Sequence, residues 1–450
     1  MNDDRARDAL ALAEAALAHA LVDGVTEAEA LVMAEDAALT RFANSEIHQN
    51  VSETNVSINL RVVCGKRVGV ASSGRTDDEG LRRMAENATA IARVVEELDD
   101  WSGLPGPTEA TEVPAAYSRA TADASPEFRA EAARAVIAAA DDAGVTAYGS
   151  FSTGTESIAV ANSKGARAAG TRTASQLITV SMGPGGGTGY AEAAAVDATT
   201  IDAAAIGREA AGKARSTANA VAVDPGDYPV VLEEYAVVDL LDMLGYLGFS
   251  ALAVQEERSF FEAGRRIGSD LVTIVDDGYD PAGLPFWFDY EGVGKQRVPL
   301  VEAGICRGIV YDAQTAARDG VASTGHGLPA PNPWGPFPLN MLMEPGASSR
   351  EDLIGGLDRG LLVTRFHYTN PVHPKLAIVT GMTRDGTFLV EDGRIVGPVK
   401  NLRYTQSYLE ALAGTVAVAA ERKTLKGFLG GVVVPAVRIE GWTFTGGTEH

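Results

Sequence analysis

Apolar residues run without interruption from Tyr228 to Leu232 and then change spacing, recurring with helical periodicity from about Glu233 to Leu247. This predicts a short buried strand feeding directly into a helix. Projected at about 100° per residue, Glu234, Asp239, Asp242 and Gly245 share one flank of the helix, and Tyr235, Val238, Leu241, Leu244 and Leu247 cover much of the rest. The pattern describes a buried helix with one narrow acidic side.

Upstream, residues 5–22 are patterned as a helix, and Glu27 to Ala34 followed by Leu39 to Ala43 as the start of a strand-rich segment. Period-two alternation from Glu53 to Ser73, broken at Cys64-Gly65-Lys66-Arg67, predicts a hairpin, and Asp77 to Leu98 an amphipathic helix opened by acidic residues. A Pro- and Gly-rich linker from Asp99 to Pro114 closes this first unit, taken as residues 1–100. The second unit, 115–222, has a helix from Ser125 to Ala143, three strand-like runs between Thr146 and Met182, a glycine-rich hairpin tip at Gly183 to Gly189 and a helix from Asp202 to Asn219. The third, 226–450, begins with the strand and helix described first. Short strands are expected after it at 272–275, 286–290, 299–302, 305–311, 361–368, 376–380, 387–391, 394–399 and 431–444. The fold class is α+β: an N-terminal α/β region, a middle α/β domain and a large β-rich C-terminal domain, sandwich or barrel.

The chain has 450 residues, 46% of them hydrophobic, enough for two or three domains with real cores. A net charge of −22 opposes phosphate polyanions, and 6% aromatic content leaves few platforms for stacking bases, so no nucleic-acid partner is expected. No run approaches a membrane span and no secretory signal is read at the start, so the expected location is the cytoplasm with no membrane contact. Cys64 and Cys306 are far apart in sequence, which supports neither a disulfide scaffold nor a structural zinc site. The glycine-rich loop lacks the lysine of a phosphate-binding loop, and Gly248-Phe-Ser-Ala-Leu lacks the second glycine of a nucleophile elbow. A zinc-peptidase helix needs two imidazoles on adjoining turns and a carboxylate. The stretch from Gly226 to Phe261 holds Glu233 and Glu234 but no histidine.

Several ordered blocks then carry a resemblance: FDYEGVGKQRVPLVEAGICRGIVYD, ASTGHGLPAPNP, LNMLMEPG, TGMTRDGTFLVEDGRIVGPVKNLRYTQS and VVVPAVRIEGWTFTGG in the third unit, with NLRVVCGKRVGVASS in the first. Together they resemble the TldD/PmbA family, the modulator-of-gyrase or TldD/TldE peptidases. The resemblance implies the three-domain architecture of that family and a cytoplasmic dimer in which a zinc-bearing subunit and a zinc-less one close over unfolded or short peptides. In the zinc-bearing subunit a HExxxH motif opens the helix after the first strand of the third domain, and a cysteine near the C-terminus completes the site. Here Glu233 and Glu234 stand at the His-Glu positions, Val238 stands at the second His, and no cysteine follows Cys306. The chain therefore resembles the TldE/PmbA subunit, with no cofactor of its own expected and zinc expected in a TldD-like partner, as a heterodimer; a homodimer is the other arrangement.

Glu234 is the candidate catalytic residue, although without a metal-bound water it has nothing obvious to activate. Tyr235, Tyr368, Arg384 and Arg403 are candidates for contacting peptide. His326, His367 and His373 are the candidates for a replacement metal site, weighed against ordinary hydrogen-bonded loop histidines. Thr383-Arg384-Asp385-Gly386 reads as a salt-linked hairpin turn or, more sharply, as a rim that pairs with substrate. The leading function is a non-catalytic subunit that holds extended peptide along a strand edge for a zinc peptidase. The alternatives are an autonomous peptidase with a different site and a peptide-binding scaffold without proteolysis.

Overall fold

In the computed structural model, which describes residues 2–428 and 430–448, the first two units build one continuous sheet. Its strands are β1 (Glu27–Ala43), β2 (Glu46–Cys64), β3 (Arg67–Ser73), β4 (Thr146–Asn162), β5 (Arg167–Met182) and β6 (Thr188–Ala195), in the order β3-β2-β1-β4-β5-β6. The join is the antiparallel β1–β4 pair, from Glu29 opposite Asn162 to Phe42 opposite Gly149. Helices α1 (Asn2–Ala20) and α2 (Asp78–Val94) share a core with β1 and β2. After the short α3 (Arg119–Ala122), helices α4 (Pro126–Asp142) and α5 (Ala203–Ser216) cover the middle part of the sheet.

Two expectations change here. The segments 27–34 and 39–43 form one strand of 17 residues, because β2 and β4 satisfy its backbone on both sides and small residues such as Ala37 and Ala38 do not interrupt it. The three runs between 146 and 182 are two long strands; the glycine-rich tip between β5 and β6 is where the sequence places it, as a single 3-10 turn.

The C-terminal part is an eleven-stranded sheet. It contains β7 (Gly226–Leu232), β8 (Ile274–Asp276), β9 (Val298–Glu302), β10 (Ile305–Cys306), β11 (Met341–Met343), β12 (Arg359–His373), β13 (Ile378–Glu391), β14 (Arg394–Pro398), β15 (Leu402–Ser407), β16 (Thr415–Lys426) and β17 (Gly431–Gly447). β7 pairs in parallel with β12 and antiparallel with β17, so the ring β7-β12-β13-β15-β17 closes on itself as a barrel. That closure explains the unbroken apolar run: Val230 and Leu232 face one core while Val231 faces another. The helix that follows, α6 (Glu234–Gly248), is apolar nearly all round because Tyr235, Val237, Val238, Leu241 and Leu244 all enter the main core.

Three further expectations are corrected. Phe286 to Tyr290 is a loop, not a strand; Phe286, Trp287 and Phe288 pack against Leu31, Ile158 and Val160, so this aromatic run wedges the C-terminal part onto the first sheet. Arg384-Asp385-Gly386 lies inside β13, where Asp385 (φ 55°) and Gly386 (φ 140°) accommodate a bulge opposite Val363 and Arg365. The tight turn is the next Asp-Gly pair, Asp392-Gly393, which joins β13 to β14. Beyond Ile305–Cys306 the expected strand at 305–311 does not continue. No described helix is long and apolar enough to cross a membrane.

Candidate functional site

The first strand and helix of the barrel meet at Glu233, the residue that caps α6. Its carboxylate is 1% exposed and is claimed by two cations of the chain itself: Lys213 Nζ from α5 at 2.6 Å from Oε2, and Arg350, at the start of a short helix, on Oε1. Burial works to raise the Glu233 carboxyl, but Lys213 and Arg350 outweigh it and hold it below the ordinary range. Glu234 Oε2 lies 3.8 Å from the same Arg350 and accepts no hydrogen bond.

Two residues after Glu233, the Tyr235 hydroxyl donates to Glu209 at 3.0 Å and accepts from Lys423 Nζ at 2.8 Å. Lys213 and Lys423 both also bind Glu209, at 2.8 and 3.1 Å. These two ammonium groups overcome the effect of burial and bring the Glu209 carboxyl down to about 2. The Tyr235 ring meets Tyr190 edge-on at 5.2 Å. An ion and hydroxyl network thus ties the middle domain (Glu209, Lys213) to α6 (Glu233, Tyr235) and β16 (Lys423).

Beyond Tyr235 opens a cleft of about 160 Å³ that contains Val238, Asp239 and Asp242 of α6 with Tyr190, Glu192, Arg365, Phe366 and Leu425. The helix flank seen in the sequence therefore divides. Asp239 and Asp242 face the cleft, Glu234 faces Arg350, and Gly245 lies against Pro338 and Met341. Next to this cleft is a larger one of about 630 Å³, between the face of β1, β2, β4 and β5 and the turn after β16. Glu192 of the smaller cleft accepts from Gln176 Nε2 at 2.7 Å and from the Lys426 backbone at 3.3 Å, two residues that line the larger one.

A family model for the C-terminal domain of PmbA/TldA metallopeptidases matches residues 225–446, with companion models for domain 1 over 28–92 and the central domain over 119–217. The chain belongs to the PmbA/TldD family. Among PmbA/TldD relatives, a metalloprotease TldD homolog from Haemophilus influenzae is 29% identical over 269 residues, 55% of this chain and 54% of the relative. A metalloprotease from Methanothermobacter thermautotrophicus is 28% identical over 232 residues, 50% of each chain. The chain thus spans about half the length of the curated relatives it matches. Two solved structures share the whole PmbA/TldD fold. One is TldE from Thermococcus kodakarensis, with a TM-score of 0.86 at 23% identity over 99% of both chains. The other, a protein described as a modulator of a DNA gyrase from Thermotoga maritima, gives 0.85 at 22% identity over 96% of this chain and 99% of its own.

Set against the zinc motif of PmbA/TldD peptidases, the residues in place do not suit a metal. A zinc site needs unprotonated donors free to turn inward. At the first His position the Glu233 carboxylate is already saturated by Lys213 and Arg350, and at the second stands the aliphatic Val238. Among the described residues no group of three or more His, Cys, Asp or Glu side chains is placed to hold a metal ion.

The three candidate histidines are held elsewhere. His326 is fully buried, with Nε2 2.7 Å from Asp276 and Nδ1 2.9 Å from Thr324. His367 and His373 lie on β12 opposite Met382 and Ile378, and the His367 ring meets that of Tyr368 at 4.6 Å. Of the candidate peptide contacts only Tyr235 reaches the cleft. Tyr368 is 71% exposed, Arg384 approaches Asp385 at 3.9 Å, and Arg403 is exposed on β15, also opposite Met382. Asp385 itself is bound by Arg365 at 2.7 Å, so Arg384 is the weaker partner of the expected salt link. Lys213, Arg350, Arg365 and Lys423 escaped the sequence reading: each comes from a distant element, and no spacing marks it.

Proposed function

We propose that this PmbA/TldD chain is a TldE-like subunit that binds and encloses unfolded or short peptides for a zinc-bearing, TldD-like partner without cleaving them itself. The observation that carries this is the neutralised Glu233: the position that should bear a zinc ligand carries an acid clamped by Lys213 and Arg350. The match to a structure described as TldE supports the same subunit assignment. Space for an extended chain is offered by the cleft of about 630 Å³, whose lining includes Gln49, Val51 and Glu53 of β2. Residues 46–57 of β2 pair with β1 alone among the described strands, which leaves a backbone edge beside the cleft able to recognise peptide through N–H and C=O groups.

The test is co-expression with the HExxxH-bearing homologue of the same genome. The expected result is a stable complex with zinc in the partner only, and peptide hydrolysis by the complex but not by this chain alone. Stoichiometric, tightly held zinc in this chain purified alone, with chelator-sensitive cleavage, would overturn the assignment.

A further inference from the structure

The smaller cleft has a charge pattern that the rest of the site lacks. Around it three carboxylates are neutralised internally, Glu209 with Lys213 and Lys423, Glu233 with Lys213 and Arg350, and Asp385 with Arg365, while Glu192 on the cleft wall is held by three neutral donors, Gln176 Nε2, the Tyr190 hydroxyl and the Lys426 N–H. Asp239 and Asp242 are not paired with a cation either. Asp239 accepts only from neutral hydroxyls, Thr369 at 2.7 Å and Tyr408 at 3.3 Å. Asp242 Oδ2 accepts from the Phe428 backbone at 2.8 Å, and its Oδ1 accepts from no described residue. Arg365, the cation among the described lining residues, is spent: its Nε and Nη2 bind Asp385 and its guanidinium lies 4.2 Å over the Tyr190 ring.

The two carboxylates sit three residues apart on α6, hence on one face, and both line a space of about 160 Å³ walled by Val238, Phe366, Leu425 and Tyr190. Such a space admits the end of one residue rather than a folded segment. Two carboxylates that lack a counter-ion in apolar surroundings gain from a compact cation with several N–H donors. We propose that this cleft takes a primary ammonium group carried by a peptide lying in the adjoining larger cleft, either the α-ammonium of its N-terminus or a lysine side chain. Supporting this, burial pushes the Asp239 carboxyl up to about 6 in spite of its hydroxyl partners and the nearby Arg365 charge, and burial together with the Asp239 charge pushes that of Asp242 up to about 7. The proposal rests on the peptide-holding function above and adds a chemical preference to it.

The experiment uses the full chain and three peptides of one lysine-free parent sequence, each fluorescent at its C-terminus and read by anisotropy near pH 7.5. The first has a free N-terminus, the second is N-acetylated, and the third is N-acetylated with one lysine added. The free-amine peptide, the lysine peptide or both should bind about tenfold or more tightly than the acetylated one, and which of them gains identifies the source of the ammonium. In a D239N/D242N variant the difference between the amine-bearing and the acetylated peptides should vanish. Equal affinity for all three on the wild-type chain overturns the ammonium site and leaves peptide binding standing; no binding of any peptide overturns both. The wild-type series decides the matter even if the double variant does not fold.

Discussion

Lys213 Nζ lies 2.6 Å from Glu233 Oε2, so an ammonium group of the middle domain ends on the carboxylate that opens the principal helix of the C-terminal domain. The two side chains are 12% and 2% exposed, and Arg350 supplies a second positive charge to the same carboxylate. The chain holds the start of this helix with its own cations, and the same contact fastens two domains.

Removing that ammonium should therefore be costly. Lys213→Met should destabilise the chain by about 3 kcal/mol, the low end for breaking a buried pair, because Arg350 remains on Glu233. The Lys213→Met/Glu233→Gln double variant should lose less than the sum of the two single changes. Glu233 has a depressed carboxyl, so its contribution is present above the ordinary carboxylate range and is lost as pH falls through the folded value. The cost of Lys213→Met should accordingly be large at pH 7.5 and shrink toward pH 4. Urea unfolding at the two pH values checks this; a cost independent of pH would mean that the ammonium matters only as packing.

Asp242 should show the opposite sign. Its carboxyl is raised to about 7, so the protonated form is the one the fold prefers: its contribution is full below about pH 4 and is lost as pH rises through 7. Asp242→Asn keeps an oxygen for the Phe428 N–H and removes the charge. The variant should match the wild type near pH 4, pull ahead as pH rises through 5 to 7, and exceed it at pH 8 by on the order of 2 kcal/mol. Melting curves at both pH values measure the difference, and a variant that is less stable at pH 8 would show that the carboxylate has a cation after all.

A third test concerns how the N-terminal sheet is held to the C-terminal part. Arg61 Nη2 on β2 binds Glu29 at 2.6 Å on the neighbouring strand and Glu291 at 3.2 Å in the loop after the aromatic wedge. Burial raises the Glu29 carboxyl despite Arg61. Without the guanidinium two buried acids would face each other uncompensated, so Arg61→Met should cost about 3 kcal/mol at pH 8. Because the Glu29 carboxyl, already raised to about 7, can then take a proton, the cost should fall by pH 5. Denaturant midpoints across that range are the readout, with Arg61→Lys expected to recover only part of the loss since one ammonium cannot reproduce the guanidinium's geometry.

How far the site was legible follows from where each part of it comes from in the chain. The Tyr228–Leu232 run and the α6 pattern are local, and hydrophobic spacing alone locates both. The acidic flank was visible as well, but not its division, since Arg350 claims Glu234 from 116 residues away while Asp239 and Asp242 keep the cleft. The Phe286–Phe288 run looks like a strand because aromatic residues favour strands; it is buried instead by a sheet belonging to another domain. Strand β16 was missed for the converse reason. It carries three consecutive charged residues, Glu421, Arg422 and Lys423, yet Lys423 turns inward to Tyr235 and Glu209 across the domain boundary. The two Asp-Gly pairs of β13 and its end are alike in sequence, and only the pairing with β12 makes one a bulge and the other a turn.

The close approach of α5 to β6 offers a last test, because the position of Lys213 and Glu209 depends on it. A Cβ on Gly189 would stand 2.1 Å from the Ala210 carbonyl oxygen and 2.5 Å from the Ala214 nitrogen, both helix backbone atoms that cannot give way singly. Gly189→Ala must push the whole of α5 outward, and overpacking of this kind should cost about 3 kcal/mol. It should also draw Lys213 away from Glu233, so the pH dependence of its stability should come to resemble that of Lys213→Met. Gly212→Ala is the control: it lies in the same helix, a Cβ there meets nothing within 4 Å, and replacing a helical glycine should stabilise by about 0.5–1 kcal/mol. Thermal melts of the two variants beside the wild type should move in opposite directions, and a neutral Gly189→Ala would show that α5 is not pressed against β6 as this geometry requires.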